Sequence, residues 1–201
     1  MKAQSSQLLS LLLLIAATFH LLPPSSAARA SASNHGNTDF IRSVCNNTVY
    51  PDVCNSHISR YAHAIKQNPA ALSRVGVALS HSVVRGAATS LSGLSGQAKG
   101  RAAHAISDCI STLGEASDQI SESLGQLRQI TAGKGGDFKF AMDTVLTRMS
   151  AALTNEDTCI DGFEEEPKDL VKKVVDIVTE AEKFTSIALA FVNYYAKKGS
   201  P

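Results

Sequence analysis

Four stretches of this chain carry apolar residues at spacings of three and four, and that repetition restricts the fold more than any other feature. Leu72, Val75, Leu79, Val83, Ala87, Leu91 and Leu94 make the first stripe. Ile106, Ile110, Leu113, Ser117, Ile120, Leu124 and Leu127 make the second, with one polar slip at Ser117. Phe138, Ala141, Val145, Met149, Ala152 and Leu153 make the third; Leu170, Val174, Ile177, Ala181, Phe184, Ala188, Phe191 and Tyr195 make the fourth. Such spacing keeps one side of a helix apolar. Joined by short connectors rich in Gly or Pro at residues 95–100, 132–137 and 161–168, the four segments predict an all-α, antiparallel up-down-up-down four-helix bundle over residues 70–198. Tryptophan is absent and aromatics are 5% of the chain, which suits a helical protein better than a β-sandwich. Gly76, Gly86, Gly93, Gly114 and Gly125 interrupt the helical stretches at about 1 kcal/mol each relative to alanine, a cost that close helix approach would offset.

Residues 1–30 read as export signal rather than fold. Met1-Lys2 gives a basic start, Leu8 to Leu22 is almost wholly apolar, and Pro23-Pro24 is followed by small residues that suit cleavage after Ala28 or Ala30. The apolar run falls short of the ~20 residues that span a bilayer, so no membrane association is expected after cleavage. Residues 31–38 are small and polar and are expected to form a flexible lead-in. Residues 39–69 read as a compact unit of their own, with Phe40, Ile41 and Val44 in a short segment before a turn at Tyr50-Pro51-Asp52 and a helical pattern of Val53, Ile58, Tyr61, Ala62 and Ile65 after it. It is too small to be held by burial alone.

The stretch Ser150 to Phe163, SAALTNEDTCIDGF, closes the third stripe and leads to the last helix. Thr154 or Asn155 is expected to cap a fresh helical turn at this junction, with Glu156 and Asp157 just inside it, where the helix dipole favours them. Glu164-Glu165-Glu166 before Pro167 reads the same way, as acidic residues at the N-terminus of the final helix.

Export makes disulfides the natural use of the four cysteines, Cys45, Cys54, Cys109 and Cys159. Three pairings are possible and sequence alone selects none. Because Cys45 and Cys54 flank the Pro51 turn, one local bridge plus one long bridge is preferred. Zinc is the rival use, but there is no C-x-x-C pair, and His35, His57, His63, His81 and His104 are scattered. No metal and no cofactor are expected. Asn46-Asn47-Thr48 is a glycosylation sequon, with Asn46 the acceptor.

Chemistry of the enzymatic kind has no visible carriers. There is no G-x-S-x-G, no H-E-x-x-H, no phosphate loop and no dinucleotide fingerprint, and with the cysteines paired no thiol nucleophile remains. The 19 basic and 18 acidic residues nearly cancel without a Lys/Arg stripe, so no nucleic-acid partner is expected. Glu115, Asp118 and Glu122, spaced three and four, share one helix face: either a solvated face or a docking stripe for a basic partner.

The cysteine order, the nine-residue spacing after FIRSVC, the Asp108-Cys109 pair and above all SAALTNEDTCIDGFEE resemble the plant invertase and pectin methylesterase inhibitor family, from Phe40 to Tyr195. The resemblance implies a four-helix bundle with an N-terminal hairpin and the bridges Cys45–Cys54 and Cys109–Cys159. It further implies a cell-wall protein that binds its target enzyme one to one. On pectin methylesterase the bundle would cover the catalytic cleft, with Glu115, Asp118, Glu122 and Thr158 as candidate contacts. Two departures bear on the target. Members aimed at methylesterases carry an acidic residue and a tyrosine where this chain has Ser111 and Leu113. Members aimed at acid invertase carry Pro-Lys-Phe before the third bundle helix, where this chain has Phe138-Lys139-Phe140 without the proline. Pectin methylesterase is the expected target. Invertase is the alternative, and a cell-wall structural or storage protein of the same fold is a further one.

Overall fold

A computed structural model of the chain describes residues 26–96, 98–130, 135–163 and 166–199. Most of the expected signal sequence, residues 1–25, lies outside them, as do Glu164 and Glu165. The chain forms two compact units, Met1–Gly36 and Asn37–Pro201, and the second holds the four long helices and both disulfides.

Among the described residues seven α-helices follow one another: α1 Ser26–Cys45, α2 Pro51–Ile58, α3 Ala62–Ile65, α4 Pro69–Ser95, α5 Arg101–Gln129, α6 Gly135–Asp161 and α7 Lys168–Gly199, with a 3-10 turn Ser59–Tyr61 between α2 and α3. Helix occupies residues 31–38, where composition predicted a lead-in without structure. No proline interrupts Ser26 to Cys45, and a helix already nucleated through the Cys45 end propagates back cheaply through Ala27, Ala28, Ala30 and Ala32.

The bundle is a closed ring in which α4 contacts α5, α5 contacts α6, α6 contacts α7 and α7 contacts α4. Two of these pairs run antiparallel, as cross-helix partners show. On α5 and α6, Cys109 meets Cys159 while Glu122, further along, meets Arg148, further back. On α4 and α7, Ser73 donates to the Phe191 carbonyl at 2.8 Å and Ser80 lies 2.9 Å from Thr185. Asn68 caps α4, its side-chain oxygen accepting from the Ala71 N–H at 3.0 Å, with Pro69 in the first turn where a missing N–H costs nothing.

The buried faces agree with the sequence stripes only in part. On α4 the core positions are Leu72, Ser73, Gly76, Val77, Ser80, Val84, Ala87 and Leu91, whereas Val75, Leu79 and Val83 lie half-buried at its edge. Two serines and a glycine hid the true face. They serve the α4–α7 seam: a Cβ on Gly76 would stand 2.6 Å from the Phe191 ring, so only glycine lets that ring come this close to the helix. On α5, Cys109, Ala116 and Ser123 are buried in place of Ile110 and Ser117, and on α6 Met142 replaces Ala141.

The hairpin shares its core with the bundle. Ile41, Val44, Cys45, Cys54, Ile58, Ala62 and Ile65 pack with Leu72 of α4 and with Ile187 and Phe191 of α7. Its far end returns through Lys66 and Gln67, both left-handed with φ of 47° and 57°, and Gln67 donates from Nε2 to the buried Asn37 at 3.3 Å.

A larger correction concerns α6. It runs unbroken from Gly135 to Asp161, with no fresh turn at Thr154 or Asn155. Thr154 and Thr158 spend their hydroxyl protons on the carbonyls four residues earlier, of Ser150 and Thr154. Residues 137–161 contain no Gly or Pro to stop the helix, and Met149, Ala152, Glu156 and Cys159 continue the inward face at steps of three and four. Glu156 is therefore a core residue, not an exposed residue of a first turn.

Candidate functional site: the outer face of α5 and α6

Among the described residues no three His, Cys, Asp or Glu side chains are placed to hold a metal ion, and no helix is long and apolar enough to cross a membrane. Attention falls on the outer surface where α5 and α6 lie side by side.

The Cys109–Cys159 bridge ties these two helices together, and Cys45–Cys54 ties α1 to α2. Both bridges are those the family resemblance implied, and among the described residues no cysteine is free. Over the first bridge lies a shallow groove of about 340 Å³, lined among others by Arg101, His104, Asp108, Thr112, Thr158 and Gly162. Its end is fixed by Arg101, whose Nε donates to Glu166 at 2.8 Å, so the connector leading to α7 is fastened to the start of α5. Glu166 thus has a definite partner beyond the helix-terminus position read from sequence. Thr158 is exposed, and with its proton given to Thr154 its lone pairs remain to accept a hydrogen bond from outside.

Further along α5, Glu115, Asp118 and Glu122, which the three-four spacing placed on one face, are all exposed. Their surroundings differ. Glu122 forms an ion pair with Arg148 of α6 at 3.1 Å. Asp118 lies toward α4, where it acts on His81. Burial and then the neighbouring Arg85 hold the His81 pKa below its ordinary value, and Asp118 opposes them only in part. His81 is therefore neutral near pH 7 and leaves the Asp118 charge standing. Glu115 has neither ion pair nor hydrogen bond to any described residue. At the first departure noted above, Ser111 is exposed on this face, but Leu113 is 0% exposed in the core. Only Ser111 alters the surface.

The charge is distributed by halves. Between them α5 and α6 carry nine acidic side chains, the buried Glu156 among them, against four basic ones, while α4 and α7 carry eight basic side chains against four acidic. Since α5 adjoins α6 and α7 adjoins α4, the bundle has an acidic half and a basic half. This was open to inspection in the sequence once the helices were placed, but the near-zero total concealed it.

At the start of α6, Phe138 is buried edge-on against Tyr195 at 5.3 Å, whereas Phe140 is 74% exposed beside the exposed Lys139. On the hairpin, Asn46 is exposed just past the end of α1. Its side-chain oxygen stands 3.4 Å from the amide nitrogen of Asn55, and the Thr48 hydroxyl donates to the Cys45 carbonyl at 2.8 Å.

A helical bundle clamped by two disulfides, with an outer acidic face, defines the class: an all-α, disulfide-bonded bundle protein. Comparison with known proteins makes this specific. The family model described as plant invertase/pectin methylesterase inhibitor matches residues 39–191, and the chain belongs to that family. It is 36% identical over 177 residues to the "21 kDa protein" of Daucus carota, covering 86% of this chain and 90% of that protein. It is 34% identical over 196 residues to pectinesterase inhibitor 11 of Arabidopsis thaliana, covering 94% and 96%. Pectinesterase inhibitor 10 of the same plant is 35% identical over 169 residues, covering 82% of this chain, which spans only 53% of that protein's length. A crystal structure of a mutant form of a pectin methylesterase inhibitor from Arabidopsis superimposes with a TM-score of 0.61 at 21% identity, covering 76% of this chain and 95% of that one. At that identity the match speaks for the fold alone.

Proposed function

We propose that this chain is a secreted inhibitor of pectin methylesterase that binds the enzyme one to one and covers its catalytic cleft with the outer faces of α4, α5 and α6. The observation that carries the reading is the row of exposed carboxylates on α5, two of them not neutralised within the fold, in a chain whose relatives are named pectinesterase inhibitors. The mechanism asks for no chemistry from the inhibitor. A surface held by a disulfide and by ring packing loses little freedom on docking, which favours tight binding. Carboxylates on that surface attract a basic rim and set the orientation of approach. Glu115 and Asp118 contribute most, Glu122 less because Arg148 already engages it, and Thr158 accepts one directed hydrogen bond beside the groove.

One observation favours a second reading. Phe140, 74% exposed beside Lys139, offers an aromatic ring and an ammonium group to a sugar-binding pocket, as an inhibitor of acid invertase would. Titration of the secreted protein into a pectin methylesterase and, separately, into a cell-wall invertase decides. Methylesterase activity is expected to vanish near one equivalent with invertase untouched. Loss of invertase activity alone transfers the assignment to the second reading, and loss of neither leaves a structural or storage role.

Residues 1–30 act as the signal that sends the chain to the cell wall, and Asn46, exposed on the hairpin, is the glycan acceptor. Enzymatic deglycosylation of the secreted protein is expected to lower its mass by one N-glycan. Thr48→Ala protein should lack that glycan from the outset, and an unchanged mass in the parent rules the site out.

A further inference from the structure

Glu156 is the residue whose surroundings suit its charge least. It is 0% exposed on the inward face of α6. Its Oε1 lies 2.7 Å from Thr185 Oγ1 on α7, which lies 2.9 Å from Ser80 Oγ on α4, while its Oε2 has no hydrogen-bond partner among the described residues. An ionised carboxylate in this place would rest on a single hydrogen bond with one oxygen bare, an arrangement that buried charges do not sustain. The charges that act on it have the wrong sign, since Glu182 of α7 and Asp157 of its own helix both repel it and no basic side chain acts on it. Several basic groups on the surrounding helices act on other residues. On α4, His81 interacts with Arg85 and Asp118, and Arg74 acts on Tyr195. On α7, Lys183 binds Glu180 and Lys172 binds Asp176; on α6, Arg148 binds Glu122; on α5, Arg101 binds Glu166; and on α2, the His57 ring packs against Phe184.

The neutral acid satisfies the same geometry. A proton on Oε1 lets Glu156 donate to Thr185 Oγ1. The Thr185 proton then turns to the Ala181 carbonyl, 3.3 Å away, and Ser80 donates into the remaining lone pair of Thr185. Every hydroxyl of the chain is used, and the bare Oε2 becomes an uncharged carbonyl oxygen.

We propose that Glu156 is held as the neutral acid in the folded protein and that its proton is a structural part of the α4–α6–α7 seam, so that the seam loosens as the medium turns alkaline. Burial, helped by Glu182 and Asp157 and opposed by the Thr185 hydrogen bond, pushes its pKa up to about 8. Glu182 follows in the same direction, raised by burial and then by the nearby Asp157 carboxylate, with its Oε1 buried and without a hydrogen-bond partner among the described residues. A carboxyl with a folded pKa above its unfolded value binds more protons in the folded state. Its stabilisation is complete below the unfolded value near 4.5 and is lost as pH rises toward 8.

The test is the melting temperature of the disulfide-intact protein as a function of pH. Between pH ~4.5 and ~8.5 the parent is expected to lose roughly 5–10 °C. Glu156→Gln, which keeps the hydrogen bond without a charge to gain, should melt near the parent in acid and stand several degrees above it in alkali. Parallel pH profiles for the two proteins overturn the proposal. If Glu156→Gln fails to fold, NMR titration of the glutamate carboxyl carbons in the Glu182→Gln protein decides. One carboxyl titrating far above the ordinary ~4.3 supports the proposal, and all of them titrating near that value overturns it.

Discussion

A glycine inside a helix either admits a close neighbour or weakens the helix, and α4 contains both kinds. Gly76 admits the Phe191 ring, with a built Cβ only 2.6 Å from Cδ2 and 3.4 Å from the Ala188 backbone. Gly86 and Gly93 on the same helix, and Gly114 on α5, have nothing within 4 Å of that position. Gly76→Ala should therefore lower stability by about 1–3 kcal/mol through overpacking. Gly86→Ala should raise it by about 0.5–1 kcal/mol, because it only restricts the unfolded chain. Urea unfolding of the two variants checks both signs. Sequence reasoning gave these glycines one explanation, and the structure assigns it to Gly76 but not to Gly86, Gly93, Gly114 or Gly125, because what a glycine faces depends on the register of a neighbouring helix. Glu156 escaped for a related reason. Its position continued the inward three-four series, but a charged residue type is read as surface until a buried partner is seen.

At the level of elements, the four long helices were legible because heptad spacing survives a few wrong assignments. The error lay in which residues faced inward: on α4, Ser73, Gly76 and Ser80 occupy the seam while Val75 and Leu79 flank it, a rotation of the helix that polarity alone could not reveal. Thr154 and Asn155 are good capping residues, yet capping chemistry alone does not start a helix. A cap works only where the preceding backbone leaves the helix, and nothing at Leu153 makes it leave. The long bridge has consequences at this scale too. Cys109 and Cys159 are fifty residues apart in sequence, so closing that loop restricts the unfolded chain strongly. Replacing both by alanine should cost about 4 kcal/mol, against about 2.6 kcal/mol for the nine-residue Cys45–Cys54 link. Denaturant midpoints of the two double variants should fall in that order, and a larger loss from the hairpin pair would show that bridge strength here is not set by loop length.

For the molecule as a whole, the outer carboxylates are the feature on which the functional reading turns. Glu115→Lys combined with Asp118→Lys reverses two charges on an exposed strip without touching the core. Affinity for pectin methylesterase should fall at least tenfold, with the association rate affected most and the difference from the parent shrinking as salt is added. The melting temperature should move by no more than a degree or two. Unaltered inhibition by that variant would place the docking surface elsewhere on the bundle.

The division of charge between the α5–α6 half and the α4–α7 half matters before any contact is made. A particle of almost zero total charge drifts through a field without being drawn along it, yet if its two flanks are oppositely charged it is turned. Polyanionic surroundings would orient this chain with its lysine-bearing flank toward them. The carboxylate flank would then face outward, toward whatever basic enzyme diffuses past.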